Sequence, residues 1–308
     1  MNQPKRKPLL ENRVIKTLST LAIALACLQA TLAESFELKD GDRVVFVGNT
    51  LIERAGLYGH VETALLTRWP DRNLQFRNLG WSGDNVRGQS RDYFFRDGEG
   101  YRRLMQKMGE LKPTVLFIAY GTNESFDGPE GLERFKKELT KLLDDLSKNT
   151  GARMVLISPL KQGAWLAPAK VAENNANLAL YSKAIAAEAQ KRGHVFVDLF
   201  SDEKLTAATY NSIHLDDNGY RHLASAIERE LGLKTIKRPD LESLRQLVVE
   251  KNQLFFDQWR PANEIYLFGQ RKHEQGTNAK EMPMFTPLIE AKEKEINAQR
   301  IALMGGAR

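Results

Sequence analysis

Four short segments of the sequence carry groups that together could perform acyl transfer. Thr50 offers a hydroxyl, and residues 80–84 offer glycine N–H groups. Asn123 offers a side-chain amide, and His214 offers an imidazole three residues after Asn211. A hydroxyl that passes its proton to an imidazole can attack an acyl carbonyl, and N–H groups can stabilise the oxyanion that forms. These residue types therefore indicate a nucleophile, a base and an oxyanion hole.

A repeating pattern of strands and helices must position these segments. Between residues 43 and 232, short apolar runs alternate with stretches of helical periodicity, which is typical of a parallel sheet covered by helices on both faces. Runs rich in Val, Ile, Leu or Phe predict five strands, at 44–47, 74–78, 114–120, 154–158 and 195–200. The predicted fold class is α/β, a three-layer α/β/α sandwich with a five-stranded parallel sheet.

Helices are predicted in the gaps between these strands. Apolar residues on one face predict a helix that starts at Pro129. A second predicted helix covers 172–192 and stops at Gly193, and a third stops at Gly232.

All four chemical segments fall at one edge of the predicted sheet. In an open parallel sheet, ligands bind beyond the carboxyl ends of the strands, where the loops converge. Gly48, Gly80 and Gly121 each follow a strand there, either as N–H donors to a ligand or as plain turn residues. Thr50 also has two possible interpretations: it is the nucleophile, or it is the N-cap of a helix that begins near Leu51.

The order of these blocks resembles the SGNH or GDSL hydrolases, which are secreted or intracellular esterases. The resemblance covers about residues 43–232 and rests on FVGNT at 46–50, NLGWSGD at 78–84 and YGTNE at 120–124. It implies the flavodoxin-like three-layer fold of that family. These strings are also similar to those of a subgroup from polysaccharide-rich environmental bacteria, as is the tail segment at 271–276.

The resemblance implies a role for each block. By position, Thr50 takes the place of the nucleophile and His214 that of the base. Gly80 and Asn123 complete an oxyanion hole to which Thr50 contributes its own N–H. Ser82 is an alternative nucleophile because it also carries a hydroxyl. The resemblance implies that this hydroxyl has a structural role.

Two positions depart from the family pattern. Thr50 replaces the serine, and its additional methyl group crowds the position that an acyl carbonyl must enter. Asn211 replaces the aspartate, and an amide can orient an imidazole but cannot offset the charge of an imidazolium. Asp216 and Asp217 are candidates to supply the missing carboxylate. The substitutions predict slower attack than in a serine-containing site.

These features predict an exported hydrolase of ester bonds that acts on O-acyl groups, such as acetyl, of small-molecule or polysaccharide carbohydrate. Trp81, Tyr120 and Trp165 are predicted to stack on sugar rings, and Glu124 is a further candidate for substrate contact. Two alternatives stay open. One is a catalytically degenerate member that binds glycan in the same cleft, and the other is a subunit of an envelope assembly docked through the C-terminal tail.

The predicted domains are a hydrolase-like domain at 34–235 and a tail at 236–308. One helix is predicted at the start of the tail, with an apolar face of Leu241, Leu244, Val248, Phe255 and Trp259. The polar, strand-free remainder is predicted to be extended, and it has too few apolar residues to fold alone. Arg260, Arg271 and His273 are expected to lie against the main domain. They either shape the substrate mouth or belong to a surface strap without function.

Residues 1–33 are predicted to be a signal peptide, which places the protein in the periplasm or outside the cell. A basic stretch precedes an apolar run at 18–28 and small residues at 31–33. The apolar run is shorter than the roughly 20 residues that span a bilayer, which argues against a membrane anchor. Cys27 stands in a weak match to a lipoprotein cleavage box, with Ala24 where a larger aliphatic residue is usual, so a lipid anchor is the lesser alternative.

Composition excludes several other functions. Of the net charge of +6, +4 lies in residues 1–33, and the remaining +2 gives no sign of a nucleic-acid partner. The single cysteine lies in the same leader, so the rest of the chain has neither a disulfide framework nor a Cys-ligated zinc site. Dinucleotide, phosphate-loop and His-Glu-x-x-His motifs are missing from the sequence. No cofactor and no metal ion are therefore predicted.

Overall fold

A computed structural model gives the structure of the chain and describes residues 36–92 and 95–305. The predicted signal peptide at 1–33, with Cys27, lies outside the described residues. Within the described ranges, none of the helices combines the length and the hydropathy that a membrane-spanning helix needs.

Five parallel strands form the central sheet, as predicted. They are β1 (Arg43–Gly48), β2 (Gln75–Gly80), β3 (Val115–Ala119), β4 (Arg153–Ile157) and β5 (Val195–Val197). Their order across the sheet is β2-β1-β3-β4-β5. Nearly every residue of β1, β3 and β4 is buried, because helices cover both faces of the sheet. The predicted three-layer α/β/α sandwich is confirmed.

The helices form the two outer layers and the tail. The α-helices of the described residues are α1 (Thr50–Tyr58), α2 (His60–Arg68), α3 (Glu99–Leu111), α4 (Gly128–Thr150), α5 (Pro168–Arg192), α6 (Glu203–Ala207), α7 (Asp217–Glu230), α8 (Glu242–Trp259), α9 (Glu264–Leu267), α10 (Lys272–Gln275) and α11 (Phe285–Gly305). Short 3-10 helices cover Gln89–Arg91, Glu124–Asp127 and Gly276–Met284. Helices α3, α4 and α5 pack side by side over one face of the sheet, while α1, α2 and α7 contact one another on the other.

Proline and glycine set the ends of the longest helices. Pro129 lies in the first turn of α4, and Phe135 faces the core from its buried side. Helix α5 stops at Gly193, as predicted, in the left-handed conformation that glycine tolerates. It starts earlier than predicted, at Pro168, because a proline in the first turn needs no N–H partner.

The C-terminal tail is helical rather than extended, so that part of the prediction is wrong. Helix α11 buries Ile289, Ile296 and Met304, which are spaced by seven and eight residues and therefore share one narrow side of the helix. This side packs on α8. Apolar residues also lie outside this side, among them the exposed Leu288 and Ile301, so the sequence shows no clear apolar face that would indicate a helix.

An ion pair inside the protein holds α8 on the sandwich. Lys251 Nζ donates to Glu62 Oε1 of α2 at 2.7 Å and to the carbonyl oxygen of Phe76 in β2 at 3.1 Å. The side chains of Lys251 and Glu62 are 1% and 8% exposed. Burial lowers the pKa of Lys251. A second pair, Arg77 with Glu293 at 2.5 Å, joins β2 to α11.

We expect Lys251→Met to lower the free energy of unfolding by about 3 kcal/mol, because Glu62 is then buried without its cation. Urea denaturation followed by circular dichroism measures this change. Adding Glu62→Leu should restore most of the loss, since neither charge remains. Lys136→Met, which breaks an exposed pair with Glu133, is the control and should change stability by less than about 0.5 kcal/mol. Equal losses in the single and double variants would contradict this account of the pair.

Candidate active site

The ends of β1, β2 and β3 bring the predicted segments to one edge of the sheet. Gly48 of β1 is in register with Gly80 of β2 and with Ala119 of β3. A Cβ on Gly48 would lie 2.4 Å from the carbonyl oxygen of Ala119, and a Cβ on Gly80 would lie 2.1 Å from the amide nitrogen of Glu53. Gly48 therefore leaves room for the end of β3, and Gly80 allows the first turn of α1 to approach the sheet closely.

Thr50 is the first residue of α1 and its hydroxyl faces the loop after β2. Asn49 is the N-cap, because its Oδ1 accepts the N–H of Leu51 at 3.1 Å, so the alternative of Thr50 as the cap is wrong. Thr50 Oγ1 accepts a hydrogen bond from the N–H of Gly83 at 3.0 Å. The Thr50 N–H lies in the first turn, where N–H groups have no carbonyl partner within the helix.

Thr50, Asn123 and His214 line one cavity of about 250 Å³. The other lining residues are uncharged, namely Asn49, Leu51, Thr122, Phe126, Leu160, Gln162, Ser212, Ile213, Leu215 and Tyr220. Within the described part of the chain, no hydrogen bond joins the Thr50 hydroxyl to His214; each bonds to another group. The structure therefore brings three of the predicted residues together, with the nucleophile and the base not yet in contact.

Asn211 fixes both the orientation and the tautomer of His214. Asn211 Oδ1 accepts the backbone N–H of His214 at 2.8 Å and that of Ile213 at 3.3 Å. Because Oδ1 is engaged, the amide nitrogen Nδ2 is the atom that faces His214 Nδ1, at 2.9 Å. An amide nitrogen donates and does not accept, so Nδ1 carries a lone pair and the ring proton resides on Nε2.

This tautomer is unsuited to the role of general base. Burial and the nearby guanidinium of Arg54 lower the pKa of His214, so the ring is neutral at pH 7. In the neutral ring, Nε2 is a donor and Nδ1 is occupied by Asn211. Proton transfer from Thr50 therefore requires the other tautomer of His214.

The two aspartates that are candidates to supply the missing carboxylate have other partners. Asp216 is the N-cap of α7 and accepts the N–H of Gly219 at 2.8 Å. Asp217 pairs with His60 at 2.9 Å. In the structure, His214 therefore has an amide and no carboxylate on Nδ1.

The predicted oxyanion-hole residues differ in what their N–H groups do. Asn123 Nδ2 donates one hydrogen to the carbonyl oxygen of Asp84 at 2.6 Å and keeps a second one. Gly80 donates its N–H to Asn78 Oδ1 at 2.8 Å, so the structure corrects its predicted place in the hole. The physical reason is that β2 continues through Gly80, and the loop that reaches Thr50 starts later. Gly83, with φ of +73°, instead brings its N–H to the site, where it donates to the nucleophile atom Thr50 Oγ1 itself. Its position in that turn is the signal that sequence reasoning missed.

Glu124 holds the loops together and is buried, so its predicted contact with substrate is wrong. Its two carboxylate oxygens accept the N–H of Val86 at 2.9 Å and the N–H of Gly121 at 2.8 Å. These bonds join the loop after β2 to the loop after β3. Burial raises the pKa of Glu124 to about 7, and the charge of Asp84 contributes in the same direction.

Trp81 and Tyr120 are also buried, so their predicted stacking on sugar is wrong. Tyr120 is 2% exposed and donates its hydroxyl to Asp84 Oδ2 at 3.0 Å. Trp81 is 5% exposed, with its ring edge-on to Trp259 at 5.8 Å and the guanidinium of Arg260 above it at 3.6 Å. Both rings support the loops from inside the protein.

The exposed aromatic rings lie elsewhere around the cavity. Phe126 lines it, and Tyr210 packs against His214 with ring centroids 6.1 Å apart. Trp165 is 70% exposed, and its backbone N–H donates to Ser212 Oγ at 3.0 Å. Of the three aromatics predicted for sugar stacking, only Trp165 is thus exposed next to the cavity.

Near the site, the tail contacts the main domain through Arg260, which pairs with Glu53 of α1. Glu53 also accepts from Ser82 Oγ at 2.7 Å, which makes Ser82 a structural hydroxyl. Arg271 contacts residues of the tail itself, stacking over Tyr266 and pairing with Glu274. His273 is exposed and close to the same Glu274. Neither Arg271 nor His273 lines the cavity, which corrects their predicted contact with substrate.

In the described ranges, no cluster of three or more His, Cys, Asp or Glu side chains is placed to hold a metal ion. What the cavity brings together is a hydroxyl, an imidazole and several N–H donors. This set is suited to acyl transfer.

Comparisons with known proteins agree with this chemistry. The model of the GDSL-like lipase/acylhydrolase family matches residues 46–222. An acetylxylan esterase from Geobacillus stearothermophilus, solved as a catalytic mutant, is similar with a TM-score of 0.52 and 19% identity over 66% of this chain and 100% of that one. An alpha/beta hydrolase from the metagenome of Lake Arreo, Spain, has a TM-score of 0.52 and 19% identity over 64% and 99%.

No curated protein matches the chain. The similar structures establish the fold, while the family model covers more than half of the chain, including Thr50, Asn123 and His214. The protein therefore belongs to the GDSL-like lipase/acylhydrolase family and is a hydrolase that acts on ester bonds.

Proposed function

We propose that the enzyme removes short O-acyl groups, acetyl above all, from carbohydrate outside the cytoplasm. The observation that carries this proposal is the cavity of about 250 Å³ shared by the Thr50 hydroxyl, the Asn123 amide and the His214 imidazole. The leader at residues 1–33, with its basic and apolar parts, supports export.

The size and the surroundings of the cavity favour this substrate. A volume of about 250 Å³ is below the range usual for drug-sized ligands, and it suits an acetyl group better than a long acyl chain. The sugar would then remain at the mouth, where Phe126, Trp165 and Tyr210 expose flat apolar rings. Such rings stack well on the apolar faces of sugars.

Similar structures give independent support. The matched acetylxylan esterase has catalytic mutants in which a serine, an aspartate or a histidine is replaced by alanine, and the aspartate precedes the histidine by three residues. Asn211 precedes His214 by the same interval. The proposal gives Thr50 the place of that serine.

In the proposed mechanism, His214 first adopts the other tautomer, with its ring proton on Nδ1. Thr50 Oγ1 then attacks the acyl carbonyl while the free His214 Nε2 takes the hydroxyl proton. The N–H groups of Thr50 and Gly83 and the free amide hydrogen of Asn123 stabilise the oxyanion. His214 then returns the proton to the leaving sugar oxygen, which leaves an acyl-threonine. A water molecule activated by His214 hydrolyses this ester, releases the acid and restores Thr50.

We expect Asn211→Asp to raise kcat for 4-nitrophenyl acetate by about two orders of magnitude or more. One oxygen of the new carboxylate accepts the backbone N–H groups that Asn211 Oδ1 holds, and the other accepts a proton on His214 Nδ1, so Nε2 becomes free to act as base. Asp217→Asn is the control and should leave kcat unchanged, since Asp217 pairs with His60.

Asn211→Asp should also change the pH dependence of kcat. A general base must be neutral, so activity falls as pH drops through the pKa of His214. In the parent enzyme that pKa is lowered by burial and Arg54, which places the loss of activity below the usual value near 6.5. The new carboxylate favours the imidazolium and should move the acid limb to higher pH. An unchanged rate and an unchanged profile would rule out this role for Asn211.

We expect Thr50→Ser to raise kcat by about tenfold, because it removes the methyl group and keeps the hydroxyl. Thr50→Val keeps the shape without the hydroxyl and should abolish turnover. Mass spectrometry after rapid quenching should detect one acyl group on the peptide that contains Thr50. Full activity of Thr50→Val would show that water attacks directly.

These variants also separate the enzyme from the alternative of a glycan-binding member without catalysis. That alternative requires binding of an acetylated oligosaccharide by the parent protein and no turnover, even in the Thr50→Ser, Asn211→Asp double variant. Turnover that appears in the double variant supports a hydrolase slowed by the two substitutions.

A further inference from the structure

Arg54 lies beside the catalytic groups and has no role in the proposed mechanism. It follows Thr50 by four residues in α1, so the two side chains share one face of the helix, with Cβ atoms about 6 Å apart. Arg54 Nη1 donates to the hydroxyl of Tyr210 at 2.6 Å, and the ring of Tyr210 packs against His214. Arg54 also lowers the pKa of His214, which agrees with a position close to that ring.

The charge of Arg54 is not neutralised by the protein. Within the described residues, no carboxylate lies within ion-pair distance of it, whereas Arg91 pairs with Asp84 and Arg260 pairs with Glu53. The Tyr210 hydroxyl takes one of the five N–H groups of Arg54, and the described chain offers the others no acceptor. An unpaired guanidinium at a site mouth is suited to a carboxylate.

Among the described residues, no acidic side chain lines the cavity to oppose an anion there. The lining residues include neither Asp nor Glu. The carboxylates close in sequence to the site residues are engaged by other groups. Glu53 is held by Arg260 and Ser82, and Glu124 accepts two backbone N–H groups. Asp216 accepts the N–H of Gly219, and Asp217 pairs with His60.

The position of Arg54 decides which part of the substrate carries the anion. Arg54 does not line the cavity that would take the acyl group, but contacts Tyr210 next to it. Tyr210 is 44% exposed and offers a ring face to a sugar. An anion at Arg54 therefore belongs to the alcohol side of the ester and not to the acyl group.

We propose that Arg54 and Tyr210 form a subsite for the carboxylate of an acidic sugar, so that the substrates are acyl esters of carbohydrate that contains uronic acid. This rests on the proposed function for turnover, but the binding site can be tested without it. The carboxylate would take a paired hydrogen bond from the guanidinium while the sugar ring lies against Tyr210.

Titration calorimetry of the full chain with trigalacturonate and with neutral xylotriose tests the subsite without any ester. We expect trigalacturonate to bind at least about tenfold more tightly at low ionic strength. This preference should shrink as salt is added, since Arg54 is near the surface. Arg54→Gln should abolish the preference, and Arg54→Lys should keep part of it.

Arg102→Gln is the matched control. It removes an arginine from the exposed surface of α3, where the partner is Glu99 of the same helix, and it should keep the full preference. Equal affinity for the two trisaccharides, or a preference that persists in Arg54→Gln, would overturn the proposal.

Turnover experiments identify which side of the ester carries the anion, and they separate this proposal from the proposed function of ester hydrolysis. The ratio of kcat/KM for acetylated galacturonate oligosaccharides to that for acetylated xylooligosaccharides should exceed about ten and fall to near one in Arg54→Gln. The 4-nitrophenyl ester of succinate carries a carboxylate on its acyl group, whereas the acetate ester does not. If the enzyme prefers the succinate ester in a way that depends on Arg54, and shows no preference between the two sugars, the assignment of the anion to the alcohol side is wrong. If the protein hydrolyses no ester but binds trigalacturonate through Arg54, the proposed function fails and the subsite stands.

Discussion

The arrangement of the catalytic loops depends on the carboxylate of Asp84, which is fully buried. Asp84 Oδ2 accepts from Arg91 Nε at 2.6 Å, and the Asp84 carbonyl accepts from Asn123 Nδ2. Because Gly83 precedes Asp84 in the chain, fixing Asp84 also fixes the N–H that reaches Thr50. Burying such an ion pair costs solvation free energy, and both Asp84 Oδ1 and Arg91 Nη1 lack a partner in the described structure. The pair therefore positions the loops, and its contribution to stability is small or negative.

The sequence predicts those parts of this arrangement that depend on buried apolar runs and on chain order. The five strands are recognisable because both faces of a parallel sheet are covered, so each strand is a short apolar run. Thr50 and Asn123 follow strand ends directly, and strand ends of a parallel sheet share one edge. Their meeting in one cavity is therefore predictable from chain order, and His214 joins them from the loop before α7.

The direction in which a loop side chain points is not predictable in the same way. Trp81, Tyr120 and Glu124 stand within the conspicuous motifs, yet all three point into the protein and hold the loops from behind. Gly80 and Gly83 are separated by two residues, and the length of β2 decides which of them offers its N–H to the site. Helix α11 is missed for a different reason, since its buried apolar residues form a narrow line and other apolar residues, such as Leu288 and Ile301, are exposed, so no apolar face stands out in the sequence.

Asn211 shows why a shared fold leaves the chemistry undecided. An asparagine oxygen accepts the backbone N–H groups of Ile213 and His214 as a carboxylate oxygen would, so the loop keeps its shape. The other terminal atom of the side chain, Nδ2, has the opposite role to a carboxylate oxygen, because an amide nitrogen donates a hydrogen bond where a carboxylate oxygen would accept one. The imidazole stays in place while its proton moves from Nδ1 to Nε2. The substitution therefore changes the position of one hydrogen atom, and proton transfer from Thr50 depends on that position. Neither the backbone conformation nor the similarity of two folds reveals it.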